Sequence, residues 1–460
     1  MPRVFPWIQY ATWARTYGDT ISLSVLGQTI VVLNSHEAVK DVVLARSANG
    51  RPHVQYAEMA GWSGSSLALL GSGREWRDRR RVMDTYFRPA AIQRYRHVQM
   101  EKLISMLKRI VEKPDAIQVH TRRYIEAVVM DIVFGHDVES DPDYLLRINK
   151  EFQDIGLLTL LPGALIVNTF PILGRLPQWM LGKNITTLIE KGRRAWQQVR
   201  DEPINWVRTN IKNGTAKESL VRTSLADLPE GDTNGVRVLA DAFGNVFSAA
   251  IDTSTTTLRN VLLQMILQPD IQTKAQEELD RVVGRERLPD FDDRPKLPYV
   301  EAILMEALRW ETIVPFGIPH MAEEDVILKD FCIPKGATVI GNAWAILRDP
   351  AHYTDPHIFK PIRHLSADGH VIEDPLIEYA FGFGMRKCPG RQFADATTWL
   401  YVASVLAVFD IQKMKDESGD EIPVELKYDP ALSLVHEPMP FTCALVPRDD
   451  QTLGYILQHY

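Results

Sequence analysis

From Val236 to Gln268 apolar residues return every three or four positions until Pro269 ends the run, and this spacing predicts one long helix. DIQTKAQEELDRVVG reads as the next helix, with Asp270 as its N-cap and Gly284 as its stop. LPYVEAILMEALRW is a third, with proline in its first turn, and GRQFADATTWLYVASVLAVFD resumes the helical spacing after residue 389. Strand-like stretches are few. ISLSVLGQTIVVLNS (Ile21 to Ser35) reads as a hairpin around a Gly27-Gln28 turn, and FCIPKGATVIGNAW (Phe331 to Trp344) as a second, pinned by Pro334-Lys335-Gly336. Asn213 to Gly235 is the longest expected loop. The expected fold class is mostly α with small β-sheets, in a single domain over residues 1–460, because no repeat, linker or low-complexity tract divides the chain.

Composition adds limits to this outline. With 45% hydrophobic and 24% charged residues the chain can fill a large core, and a net charge of -7 argues against a nucleic-acid binder. Three cysteines without a CxxC pair argue against a disulfide framework and for a reducing compartment. The front, MPRVFPWIQYATWARTYGD, has no apolar run long enough to span a bilayer, so neither signal peptide nor anchor is expected there. Residues 155–174, IGLLTLLPGALIVNTFPILG, are uncharged, but Pro162-Gly163 and Pro171 interrupt them. Two short helices joined by an apolar loop are expected, buried or touching a membrane surface.

The chemistry centres on FGFGMRKCPG, Phe381 to Gly390. Cys388 precedes a helix N-terminus and neighbours Arg386 and Lys387, all of which favour a thiolate. Zinc needs further Cys or His at close spacing, and the nearest histidines, His364 and His370, belong to no such motif. A Cys-His hydrolase stays open on spacing alone. The glycines speak against it: Gly382 and Gly384 clear the backbone for a large flat ligand and let N–H groups face the sulfur, as iron–sulfur and haem-thiolate centres require.

Phe381-Gly382-x-Gly384-x-Arg386-x-Cys388-x-Gly390 resembles the haem-binding signature of the cytochrome P-450 family, the haem-thiolate monooxygenases. The resemblance implies that fold, haem b with Cys388 as its axial iron ligand, and Phe381 packed beside the sulfur. Glu306-Ala-Leu-Arg309 and Phe359-Lys-Pro361-Ile-Arg363 are similar to the family's E-x-x-R and F-x-P-x-R segments, in the family's order. They imply a structural lock of Glu306, Arg309 and Arg363, since buried charges need mutual pairing. Trp76-Arg-Asp-Arg-Arg80 matches the W-x-x-x-R helix, so Trp76 and Arg80, with His320 and Arg386, are expected at the haem propionates. An alternative for Arg77, Arg79, Arg80 and Arg81 is a basic face for an acidic redox partner. Ala249-Ala250-Ile251-Asp252-Thr253-Ser254 resembles the oxygen-activation stretch, with Asp252 and Thr253 as the acid and alcohol that deliver protons; Ala250 departs from the usual glycine.

By the same resemblance Phe243, Phe247, Ile313, Val314, Phe316 and Leu434 line an apolar substrate pocket. TYGDTISLSVLGQTIVVLNSHEAVKDVVLARSANGRP is most similar to fungal members, those of mushrooms and wood-rotting species, which act on secondary metabolites and foreign aromatics. The implied activity is insertion of one oxygen atom from O2 into a small hydrophobic substrate, with electrons from NADPH through a diflavin NADPH-cytochrome P-450 reductase. The rivals are a peroxide-using or isomerising haem-thiolate enzyme and a haem-binding protein without turnover. Anchored members sit on the cytoplasmic face of the endoplasmic reticulum membrane; this chain starts near where their hinge ends, which leaves a cytoplasmic location open.

Overall fold

Asp232 starts the longest helix, its side chain accepting from the Gly235 N–H at 2.8 Å, and the helix runs as Thr233–Leu267 until Pro269 ends it. The computed structural model in which it lies describes residues 4–44, 48–138, 143–159, 165–328, 331–430, 434–449 and 454. Among these the helices of twelve residues or more are α1 (Pro6–Tyr17), α2 (Arg74–Phe87), α3 (Arg96–Glu112), α4 (Ile117–Phe134), α5 (Tyr144–Thr159), α6 (Lys183–Asn213), α7 (Thr233–Leu267), α8 (Pro269–Val282), α9 (Pro298–Trp310) and α10 (Arg391–Val408). Helix α7 packs against α2, α4, α6, α9 and α10, so it crosses the core rather than lying on it. Helix α10 is buried on nearly every side, which its apolar run from Trp399 to Leu406 requires.

A four-stranded sheet lies beside this body, in the order β1 (Thr20–Val25), β2 (Gln28–Leu33), β6 (Thr338–Gly341), β3 (His320–Met321). Strands β1 and β2 form the first expected hairpin, one residue out of step: Leu26 and Gly27 make the turn, with φ of 50° and 81°, and Gln28 already pairs with Val25. The second expected hairpin does not form. β5 (Cys332–Ile333) pairs back onto β4 (Val326–Ile327), while β6 runs parallel to β2 and antiparallel to β3. Val339 and Ile340 are both buried, so β6 needs cover on both faces, and a two-stranded hairpin offers too little. β7 (Phe409–Gln412) and β8 (Ala444–Pro447) make a third small sheet.

Three further expectations shift. Asp270 lies inside the first turn of α8, because Pro269 is its first residue. The stretch 213–235 contains a helix, Leu220–Ala226, capped by the Ser219 hydroxyl. In the apolar stretch, α5 reaches Thr159 and a short helix spans Ile166–Thr169, while residues 160–164 lie outside the described ones. Among the described residues no helix is long and apolar enough to cross a membrane.

One close approach ties the sheet to the cysteine loop. A Cβ on Gly341 would stand 2.5 Å from Cε2 and 2.7 Å from Cζ of Phe383, whose ring is buried between Tyr379 and His320. That ring has nowhere to turn. Gly341→Ala is therefore expected to destabilise the protein by about 1–3 kcal/mol in urea unfolding, with part of the loss restored by Phe383→Leu in the same chain. Equal stability of Gly341→Ala and the parent would refute this account of the wedge.

Candidate functional site

The cysteine loop starts from a turn of 3-10 helix, Pro375–Phe381, and makes two bends that an L side chain resists: Gly382 has φ 88° and Gly384 φ 55°. The Cys388 N–H then donates to the Phe381 carbonyl at 2.8 Å and closes the loop, while Phe381 itself is half-buried. Burial pushes the Cys388 thiol up; the Gly390 N–H, Arg80 and Arg391 pull it back without reversing the shift. This corrects the expectation that neighbouring cations hold a thiolate. Lys387 is paired with Glu378, and Arg386 lies over the Trp76 ring. A thiol in this setting would ionise on binding a metal. Among the described residues no three His, Cys, Asp or Glu side chains cluster as metal ligands.

Arg386 places its Cζ 4.4 Å from the Trp76 ring centroid and donates from Nε to the Asn49 carbonyl at 3.0 Å. Its Nη1 and Nη2 are buried and meet no acceptor. Arg80 is more committed than expected, with Nε on Asp84 at 2.9 and 3.0 Å and Nη1 on the Lys387 carbonyl at 2.6 Å. It binds the cysteine loop's backbone. His320 is buried, its Nδ1–H donating to the Ala48 carbonyl at 2.7 Å, and burial first, then Arg51 and Arg386, bring its pKa down to about 3. Arg51, which no local pattern marks, is buried beside this group and has its own Nε without an acceptor. Two buried guanidiniums with idle N–H groups call for an anion, and the two carboxylates of haem fit that demand as Cys388 fits its iron.

On α7, Thr253 Oγ1 donates to the Ala249 carbonyl at 2.9 Å, and Ala249 is exposed along the same helix line. Asp252 Oδ1 accepts from Arg122 Nη1 at 2.7 Å, and Arg122 Nε donates to Glu126 at 2.8 Å, so α4 holds the acid. Ala250 packs its methyl against the core. Asn245, one turn before Ala249, accepts from the Leu67 N–H at 3.0 Å and donates to the Ser65 carbonyl at 2.9 Å, which fixes the loop across α7. Sequence reading missed it.

Phe243 and Phe247 do not line this face. They lie roughly 120° and 160° around α7 from Ala249 and pack on Tyr86 and Phe134 in the core. Phe316 packs on Trp7 and Tyr10 of α1. Ile313 is buried, and its carbonyl accepts the His436 N–H at 2.8 Å, which brings in the segment carrying half-buried Leu434; Val314 is also half-buried.

Glu306, on α9, is fully buried. Its Oε2 accepts from Arg309 Nε at 2.7 Å and its Oε1 from Arg309 Nη2 at 2.8 Å, Arg363 Nε at 3.1 Å and the Lys360 N–H at 2.8 Å. His364, unassigned by sequence, joins at 2.8 Å from Oε2. Burial alone would raise this carboxyl; Arg309 and His364 overrule it and bring the pKa down to about 2. A second buried pair, Arg79 with Asp241 at 2.5 and 3.0 Å, joins α2 to α7, so Arg79 does not belong to an exposed basic face.

Known proteins resemble the chain throughout. The family model described as Cytochrome P450 matches residues 6–438. A cytochrome P450 monooxygenase of Armillaria gallica is 34% identical over 454 residues, 97% of this chain and 88% of the relative. Cytochrome P450 monooxygenase COX2 of Coprinopsis cinerea is 35% identical over 96% of this chain and 85% of its own, and claR of Ampulloclitocybe clavipes 34% over 97% and 83%.

Proposed function

From the premise that this chain belongs to the cytochrome P450 family and is a monooxygenase-type oxidoreductase, we propose that it inserts one oxygen atom from O2 into a small hydrophobic substrate. Electrons come from NADPH through a diflavin reductase. The observation that carries this reading is the cysteine loop, a lone sulfur donor beside idle buried guanidinium N–H groups.

Cys388 and Arg386 would hold haem, which would supply the oxygen chemistry when bound. The chain's own residues supply protons and enclosure. Thr253 Oγ1 holds its proton on the Ala249 carbonyl, along the line of α7 where Ala249 is exposed; Asp252 takes protons from solvent, with Arg122 fixing its carboxylate. Asp252→Asn is expected to lower product formation about 100-fold while leaving the carbon-monoxide spectrum intact. NADPH-driven turnover equal to the parent's would remove Asp252 from the proton path.

The substrate class rests on the buried or half-buried apolar residues Ile313, Val314 and Leu434, and on relatives from fungi. Contact with the endoplasmic reticulum surface is assigned to the apolar stretch, where Ile166, Phe170 and Ile172 are exposed, with Trp179 and Met180 after it. NADPH consumption and oxygenated product in the presence of reductase, over a set of small apolar compounds, test the whole reading; haem-loaded protein that yields no product under any electron supply would sink it.

A further inference from the structure

Arg122 serves two acids at once: its Nη1 donates to Asp252 Oδ1 at 2.7 Å and its Nε to Glu126 Oε1 at 2.8 Å. One guanidinium on α4 thus faces a carboxylate of α7 and another of its own helix. Both acids are largely covered, the Glu126 side chain 14% and that of Asp252 23% exposed, so water repays the second negative charge poorly. Arginine does not release its proton in a protein, and the two carboxylates press Arg122 upward against its burial. What can relieve the surplus is a proton on one of the two acids.

Neighbouring charges do not remove that surplus. Arg259, further along α7, pairs with Glu437 at 3.2 Å, Lys150 of α5 with Asp154 at 2.9 Å, and Asp143 with His136 at 2.7 Å. Burial first, with the like charge of Asp252, holds the Glu126 carboxyl above its ordinary value against Arg122 and Arg123. Glu126 also meets solvent on a side of its own. A groove of about 530 Å³ between α4 and α5 is lined by Glu126, Arg122 and Arg123 on one side and by Arg147, Lys150 and Glu151 on the other, and Asp252 is not in its wall.

We propose that Glu126 holds the proton that reloads Asp252, the two carboxylates sharing one exchangeable proton across Arg122. The step moves a proton and no electrons. An O–H bond forms on Glu126 from water in the groove; it breaks, and one forms on Asp252, each time Asp252 has given its own proton up. This rests on the reading of Asp252 above. Glu126 acts through Asp252 and touches no reacting atom, so it is a positioning residue.

The test uses purified holoenzyme of the parent, Glu126→Gln, Glu126→Asp and Asp252→Asn. The deciding readout is the carboxylic C=O stretch in the infrared, taken as parent-minus-variant difference spectra through a pH titration, which needs neither substrate nor reductase. Loss of either carboxylate leaves its partner alone with Arg122, so in Glu126→Gln and in Asp252→Asn the remaining acid should take up its proton about one pH unit lower than the parent's pair. Product formation by Glu126→Gln on the alkaline side should fall by the matching factor, about tenfold, and Glu126→Asp should restore both. The glutamine keeps an acceptor for Arg122 Nε, so a purely structural role would leave the titration where it is, and an unmoved titration overturns the proposal. If Glu126→Gln does not fold, Asp252→Asn decides: a band displaced to lower pH supports sharing, and a band that vanishes or stays in place refutes it. Parent-like turnover by Asp252→Asn would sink the reading of Asp252 itself; slowed Asp252→Asn with an unmoved Glu126→Gln titration sinks only Glu126.

Discussion

Cys388→Ser is expected to abolish the red-shifted Soret band that reduced, carbon-monoxide-treated protein should give, and to reduce NADPH-driven product formation to background. A hydroxyl is a far weaker iron ligand than a thiolate at neutral pH, and no other His, Cys, Asp or Glu cluster among the described residues can replace it. The fold should survive. The side chain changes by one atom, and the loop closes through backbone, the Cys388 N–H on the Phe381 carbonyl at 2.8 Å. Because burial raises the Cys388 thiol, the parent's thiolate depends on the metal, so haem-depleted protein should react slowly with thiol reagents at neutral pH. Retention of the red-shifted band by the serine variant would remove Cys388 from the iron.

Glu306→Gln is expected to be the most damaging change away from that sulfur. The carboxylate is fully buried and accepts from Arg309, Arg363, His364 and the Lys360 N–H; an amide leaves the buried Arg309 and the half-buried Arg363 uncompensated, which costs about 3–5 kcal/mol. A protein of ordinary stability, about 5–15 kcal/mol, loses much of its margin. Low yield, early urea unfolding and little retained haem should follow. The same carboxyl sets an acid limit: its pKa falls from 4.5 to about 2 on folding, so its contribution is complete above pH 4.5 and disappears as the pH drops through 2. Glu306→Gln should flatten stability over that interval relative to the parent. Normal stability and haem content with lost activity would instead make Glu306 part of the chemistry.

How much of this was legible in the sequence depends on the distance along the chain over which a contact forms. Glu306 and Arg309 sit three residues apart on one helix, and the glycines of the cysteine loop act within a few residues of the sulfur, so spacing reveals both. Arg79 meets Asp241 across 162 residues and Arg51 meets Ile318 across 267, and neither end carries a mark of the other. The failed second hairpin has the same cause, because β6 is completed by β2, some three hundred positions earlier in the chain. Phe243 and Phe247 show a different limit. A helix buried on several sides is apolar in several directions, and periodicity does not say which of them faces a cavity.

The lock around Glu306 also bears on which substitutions the neighbouring segment accepts. Arg309 reaches the carbonyls of Leu347 and Pro356, and Arg363 those of Thr354, Asp355 and Ile358. These bonds read the path of the main chain and ignore what it carries. At the surface positions of this segment mutational drift should be free wherever the backbone course is kept, while Arg348 and Tyr353 are held by burial and by Glu311 and Asp374, and Asp355, at φ 51°, is restricted to residues that accept a left-handed conformation such as glycine or asparagine. A saturation library across 348–358 scored for haem content would then show wide tolerance at the surface positions and a narrow set at 348, 353 and 355, so that between those points the segment evolves as a ribbon of fixed shape and variable lettering.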